Sequence, residues 1–161
     1  MPKTSENLPI GEGVIIGPAP GSYEGQGLFP DLTALRQRGI RQLICLIEDE
    51  EFQHLDEDCT ASSFLAACDQ SHLEVLRLPI EDFEAPQLSD VVAAEALVGN
   101  ANSVVYIHCM AGLGRAGTVA AALLIRGGMP AEDAILLVRW ARPGAIQSSE
   151  QEDFLRKLGA L

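Results

Sequence analysis

Short runs of branched apolar residues alternate with stretches whose apolar positions recur at helical spacing, and turn residues punctuate the changes. That pattern predicts an α/β chain. Val14 to Ile16 reads as a first strand, closed by the turn-rich segment Gly17 to Gly21. Asp31 to Arg38 predicts a short helix with Leu32 and Leu35 inward and Gly39 as its stop. Ile40 to Ile47 is apolar enough to be a strand buried on both faces. Thr60 to Gln70 predicts a helix with Phe64, Leu65 and Ala67 on its apolar side, and Leu73 to Leu78 a third strand. After a loop from Pro79 to Pro86, Ser89 is placed to cap a helix running to about Gly99. Ser103 to His108 is a β-branched strand. Beyond it lie a glycine-containing loop, an alanine-rich helix from Ala116 to Arg126, a helix opened by Pro130 at its first turn, and a last helix from Ser149 to Leu158. The expected architecture is a central, mostly parallel sheet of four to five strands flanked by helices.

The chain of 161 residues is 47% apolar and 21% charged, the proportions of a folded globular domain, and residues 1–161 are expected to form one such domain. Its 11 Lys and Arg stand against 23 Asp and Glu, a net charge of −12. That balance argues against a nucleic-acid partner or an anionic membrane surface, while leaving room for a local cationic pocket. Met1 to Gly13 is polar without an apolar core, and Thr118 to Ile125 is too short to span a bilayer. Cys45, Cys59, Cys68 and Cys109 show neither a CxxC pair nor metal-ligand spacing, so reduced thiols and a cytoplasmic location are expected. Glu48 to Asp58 carries seven acids in eleven positions and reads as a solvated face.

The chemistry is concentrated in His108-Cys109-Met110-Ala111-Gly112-Leu113-Gly114-Arg115. A strand, a loop with two glycines and a helix in that order form an anion site at a helix N-terminus. The glycines let Met110, Ala111, Gly112, Leu113 and Gly114 curl so that successive N–H groups point at one spot. Arg115 can bind two oxyanion oxygens through its planar fork. A thiol at Cys109 would then feel open N–H donors, a helix dipole and a guanidinium, all of which favour the thiolate.

This segment resembles the HCxxGxxR signature of the cysteine-based protein tyrosine phosphatases, and the chain length resembles their small dual-specificity branch. The resemblance implies the phosphotyrosine-phosphatase fold and a phosphoprotein substrate, with no metal or other cofactor. Cys109 would attack phosphorus and Arg115 would hold the equatorial oxygens. His108 would orient the Cys109 backbone. Pro79-Ile80-Glu81-Asp82-Phe83-Glu84-Ala85-Pro86 is similar to the acid loop of the kinase-associated phosphatases, which implies Asp82 as general acid, with Glu81 and Glu84 as competitors. Gly144-Ala145-Ile146-Gln147 and Gln151 resemble the glutamine loop, which implies that Gln147 positions the hydrolytic water, supported by Gln151.

The chain departs from the family at Ala116, where the family usually carries a hydroxyl that assists breakdown of the phosphoenzyme. A slower second step is expected, with Thr118 no substitute. The apolar Met110 and Leu113 stand where phosphoinositide phosphatases tend to carry lysines, so a singly phosphorylated group is expected: phosphotyrosine first, then phosphoserine or phosphothreonine. Arg139 and Arg142 read as helix-end charges facing solvent, with a second anion contact beside the pocket as the alternative. Cys45 is a candidate resolving thiol for an oxidised Cys109, against the plainer reading of a small core residue. Two other functions stay open: a catalytically weak phosphatase-like module that binds phosphoproteins, and an arsenate reductase. The second would need relay thiols, whereas Cys59 and Cys68 are expected to be peripheral.

Overall fold

The computed structural model describes residues 9–10, 13–22, 25–56 and 58–161. Most of the polar N-terminal stretch therefore lies outside the described residues. One sheet of five strands organises the chain: β1 (Pro9–Ile10), β2 (Val14–Gly17), β3 (Gln42–Cys45), β4 (Glu74–Arg77) and β5 (Val105–His108), in the spatial order β1-β2-β5-β3-β4. The pairs β2·β5, β5·β3 and β3·β4 are parallel, and the short β1 closes one edge antiparallel to β2. The central strands are buried along their lengths, which is why they read as unbroken apolar runs. The edge strand β4 is only partly covered.

Six helices complete the order: α1 (Leu28–Gln37), α2 (Ala61–Gln70), α3 (Leu88–Asn100), α4 (Gly114–Arg126), α5 (Ala131–Ala141) and α6 (Ser149–Gly159). The alanine-rich α4 packs on β2 and β5 and against α3, α5 and α6. Its small side chains permit that close approach, and ten of its thirteen residues are buried. Along β5, Tyr106 and His108 share one face by the period of two. The His108 ring lies 5.7 Å from that of Phe64 on α2, and Phe64 lies 5.2 Å from Phe52. These contacts tie α2 to the strand that carries the phosphatase-like signature.

Several boundaries differ from the sequence expectations, each for a local reason. Helix α1 begins three residues earlier than Asp31 because the Asp56 carboxylate accepts the Leu28 N–H at 2.7 Å, a cap supplied from a distant segment. The cap of α3 is Gln87 rather than Ser89, with Asp90 accepting the Gln87 N–H. Pro130 is itself the cap of α5, and Ser148 that of α6. On α2 the inward residues are Phe64, Ala67 and Cys68, while Leu65 faces outward. Cys59 and Cys68 are buried, not peripheral.

The acidic stretch is the larger correction. Asp49–His54 forms a 3-10 turn with buried Phe52 at its centre. Asp49 pairs with Arg77 at 2.8 Å, Asp56 caps α1, and Glu51 turns inward. Specific partners therefore hold part of this run against the body of the protein.

Phe64 is completely buried between Phe52 and His108. Phe64→Ala should lower the unfolding free energy by about 3–5 kcal/mol, measured by urea denaturation followed by circular dichroism. A loss below about 1 kcal/mol would show that this cluster is not the junction of α2 with β5.

Candidate active site

Strand β5 ends at His108, and helix α4 begins only six residues later at Gly114, so residues 109–113 must turn sharply. Gly112 makes the turn with φ +75°, and a Cβ there would collide with the backbone of Gly17 at the end of β2. Both the backbone angle and the space require glycine. At Gly114 a Cβ would stand 2.6 Å from the Gln147 Oε1, so any side chain there would displace the end of Gln147.

The loop carbonyls all have partners outside the loop. Met110 O accepts from Ala19 N at 2.9 Å, Ala111 O from Arg142 Nη2 at 2.6 Å, and Gly112 O from Arg142 Nε at 3.3 Å. Leu113 O accepts from Gly117 N and Ile146 N. No hydrogen bond among the described residues uses the N–H groups of Met110, Ala111, Gly112 or Leu113. No side chain caps α4. Turning the carbonyls outward leaves a set of open donors at a helix N-terminus, the physical definition of an oxyanion cradle. Buried Cys109 stands at its start.

Arg115 lies in the first turn of α4 and is 1% exposed. Its Nη1 and Nη2 donate to the two carboxylate oxygens of Glu51, each at 2.7 Å, and Nη1 also donates to Ile80 O at 2.9 Å. Its buried Nε has no hydrogen-bond partner among the described residues, and the Asp82 Oδ1 lies 3.5 Å away. Burial disfavours both charges, but the paired hydrogen bonds outweigh it: Glu51 is held below the ordinary carboxyl value and Arg115 above the ordinary guanidinium value. Glu51 is the functional residue that sequence reasoning missed. Nothing in the acidic run distinguishes it from its six neighbours.

The structure brings Asp82 and Gln147 to this loop as well. Of the acid loop's carboxylates, that of Asp82 is the one that reaches Arg115, and its side chain is 55% exposed. Phe83, at φ +66°, carries the chain past it, with its carbonyl held by Ser148 Oγ at 2.6 Å. Gln151 is fully buried; its Oε1 accepts the N–H groups of Gln147 and Ser148, and its Nε2 donates to Glu84 O. One side chain thereby ties the acid loop to the glutamine loop.

Arg139 and Arg142 are not the solvent-facing charges expected of them. Arg142 is buried and holds the carbonyls of Ala111 and Gly112 described above. Arg139 donates to Ala145 O at 3.0 Å and Ile146 O at 2.8 Å, and is fixed by Glu152 at 2.6 Å. Ile146 between them has φ +61°, an uncommon angle for a β-branched residue. The Arg139 fork and the bond to Leu113 O hold it there, which aims Gln147 at Gly114.

His108 is completely buried, with its Nδ1 3.0 Å from Cys109 O, the geometry of an N–H donated to that carbonyl. Ala116 supplies no hydroxyl, and the Thr118 hydroxyl donates to Gly114 O at 2.6 Å. Cys45 pairs in register with His108 across β3 and β5. Burial pushes its thiol up to about 11 against the pull of Ile47 and Arg77.

A buried cysteine and a buried arginine thus bracket an open N–H cradle at a strand-to-helix turn, an arrangement able to hold an oxyanion. Residues 21–129 match the family of polymorphic toxin system, DSP-PTPase phosphatases, and the chain belongs to that family. It is 36% identical over 104 residues to protein tyrosine phosphatase type IVA 3 of Bos taurus, a match covering 62% of this chain and 60% of the relative. Among solved structures, Tk-PTP in its active form superposes with a TM-score of 0.79 at 29% identity, covering 96% of this chain and 97% of that one. The kinase-associated phosphatase, solved with its catalytic-site cysteine replaced by serine, shares the fold: TM-score 0.78, 24% identity, 92% of this chain and 88% of that one.

His108 and Glu51 each make stability depend on pH. Burial pushes His108 from 6.5 down to about 4, so the unfolded chain takes up this proton first. Its contribution is complete above pH 6.5 and is lost as pH falls toward 4. Glu51 adds a contribution that is complete above 4.5 and lost as pH falls through its depressed value. Unfolding free energy, measured by urea titration at a series of pH values, should therefore fall from pH 6.5 to 4, and more gently in His108→Asn. Equal slopes in the two chains would assign the effect to another group.

Proposed function

We propose that this chain hydrolyses phosphate monoesters on proteins, phosphotyrosine first and then phosphoserine or phosphothreonine, through a cysteinyl-phosphate intermediate. One observation carries the reading: the open N–H groups of residues 110–113, the unpartnered Nε of Arg115 and the Asp82 carboxylate meet beside Cys109. Three phosphoryl oxygens would fill the N–H cradle and take the Arg115 Nε as a further donor. The thiolate of Cys109 would then attack phosphorus in line. As the S–P bond forms, the P–O ester bond breaks and the leaving oxygen takes the proton of Asp82. In the second step Gln147 orients a water molecule, which gives a proton to the Asp82 carboxylate and attacks phosphorus. The P–S bond breaks, releasing inorganic phosphate and the thiolate.

The roles of Glu51, Arg142, Arg139 and Gln151 follow from their contacts. Glu51 and Ile80 O fix the guanidinium so that only its Nε edge is left for substrate. Arg142 keeps the cradle open when no anion fills it. Arg139 and Gln151 hold the glutamine loop in place. Preorganised donors of this kind lower a barrier because they need no rearrangement when charge develops on the transferring phosphoryl group. The loop is flanked by apolar Met110 and Leu113 and the half-exposed Phe83, surfaces suited to an aromatic ester.

A phosphotyrosine peptide should release phosphate with the wild-type chain and not with Cys109→Ser. Asp82→Asn should lower kcat/KM for phenyl phosphate, a poor leaving group, by about 10²–10⁴-fold while affecting kcat/KM for p-nitrophenyl phosphate much less. Binding of the peptide without turnover would favour the alternative, a phosphoprotein-binding module, which the missing hydroxyl at Ala116 supports. Equal effects of Asp82→Asn on kcat/KM for both esters would remove Asp82 as the acid.

Ala116 and the engaged Thr118 hydroxyl leave the departing thiolate without a hydroxyl donor. Phosphoenzyme hydrolysis should therefore limit turnover, giving a burst of p-nitrophenol in stopped flow. Ala116→Ser restores one charge-assisted hydrogen bond worth about 1.5–3 kcal/mol. It should raise the steady-state rate by about 10- to 150-fold with little change in the burst rate. An unchanged or slower steady state would place the slow step elsewhere.

A further inference from the structure

A second cationic site lies at the opposite edge of the sheet. Arg41 leads into β3 and Ser71 follows α2 toward β4, so both stand at the N-terminal ends of parallel strands, whereas Cys109 follows the C-terminal end of β5. Arg36 in the last turn of α1 joins them around a cleft of about 590 Å³, with Phe29, Gln37 and Gln70 among its walls. We propose that this cleft binds a phosphate ester carrying a planar ring, of the class of a nucleoside monophosphate.

The first argument is charge. The chain has 23 acids to 11 Lys and Arg, yet no carboxylate lines the cleft. Arg77, Arg115, Arg126, Arg139 and Arg156 each hold an acid. Arg36 and Arg41 make no ion pair among the described residues. The second is burial. The Arg36 Nη1 is shut off from solvent and has no hydrogen-bond partner among the described residues. An arginine serving only the α1 dipole would keep its head in water or bond the last carbonyls. Its Nη1 does neither, and a buried guanidinium nitrogen without an acceptor is costly. An oxyanion entering the cleft would supply that acceptor. Two full positive charges also exceed the partial negative charges, about half a unit each, at the ends of α1 and α2.

The third is shape and chemistry. The volume falls within the ~300–1,000 Å³ of small-molecule sites. Phe29 offers a ring 52% exposed, on which a planar base can stack. The amides of Gln37 and Gln70 each present donors and an acceptor, as the edge of a base requires. The hydroxyls of Thr33 and Ser71 supplement them. This site is independent of the reaction proposed for Cys109.

The test uses the full chain as the Cys109→Ser variant, isotope-labelled, with adenosine monophosphate, inorganic phosphate and adenosine as probes in separate NMR titrations. Adenosine monophosphate should shift the amide signals of Thr33, Gln37 and Ser71 saturably, apart from any shifts in residues 110–115. Inorganic phosphate and adenosine should each bind there more weakly. Arg36→Gln combined with Arg41→Gln should weaken the nucleotide at the cleft by about a hundredfold, roughly tenfold per charge-assisted contact. Introduced into the wild-type chain, the same pair should leave p-nitrophenyl phosphate hydrolysis and the melting temperature unchanged. Phe29→Ala should weaken adenosine monophosphate but not phosphate. Shifts confined to residues 110–115, or cleft shifts that survive the double substitution, would overturn the proposal. Equal affinity for phosphate and nucleotide would overturn it too, by removing the ring. A chain unable to hydrolyse p-nitrophenyl phosphate would refute the reading of Cys109 and leave the cleft titration just as decisive.

Discussion

The bidentate pair between Arg115 and Glu51 sets the geometry on which the other parts of the site depend. A guanidinium 1% exposed is costly unless its donors are met, and Glu51 meets two of them at 2.7 Å. Breaking a buried pair of this kind typically costs about 3–5 kcal/mol, because the remaining charge stays buried alone. The same pairing decides which edge of the arginine remains available. With Nη1 and Nη2 engaged by Glu51 and Ile80 O, the Nε is left facing the region shared with Asp82. A residue of the 3-10 turn after β3 thereby orients a residue of α4.

Around that pair the backbone is arranged by what holds its carbonyls. An isolated five-residue turn would direct its polar groups at random into water. Here Ala19, Arg142, Gly117 and Ile146 draw the carbonyls of residues 110–113 outward. The N–H groups of residues 111–114 then turn the other way, because the C=O of one residue and the N–H of the next point in opposite directions across a peptide unit. Gly112 allows the loop to lie against Gly17, and Gly114 leaves room for Gln147. The left-handed Ile146 is an unfavourable backbone conformation, and the double hydrogen bond from Arg139 maintains it where the glutamine loop meets the phosphate loop. Hydrogen bonds thus join the acid loop, the cradle and the glutamine loop into one support.

Much of this was legible in the chain. Period-two and helical spacing located β2 to β5 and all six helices, since a core formed between a parallel sheet and its helices leaves those periodicities in the sequence. His108 to Arg115 carries its own signature because residues adjacent in sequence form one contiguous site. Asp82 and Gln147 were reached only through resemblance to known loops. The structure adds that Asp82, rather than Glu81 or Glu84, has its carboxylate beside Arg115. Glu51, Arg139 and Arg142 were read as solvated charges, because a charged residue at a turn or helix end is usually just that.

The amino-acid sequence by itself determined the alternation of strands and helices, the cysteine-to-arginine loop and its anion-binding character, since each rests on local spacing and backbone chemistry. Tertiary structure alone decided which acid clamps the arginine, which arginines hold the backbone, and where Arg36 and Arg41, without an ion pair among the described residues, gather. Those assignments depend on contacts between segments tens of residues apart, and 64 residues separate Glu51 from Arg115. The pairing of charges across such separations depends on the packing of the sheet and helices, which no local pattern records.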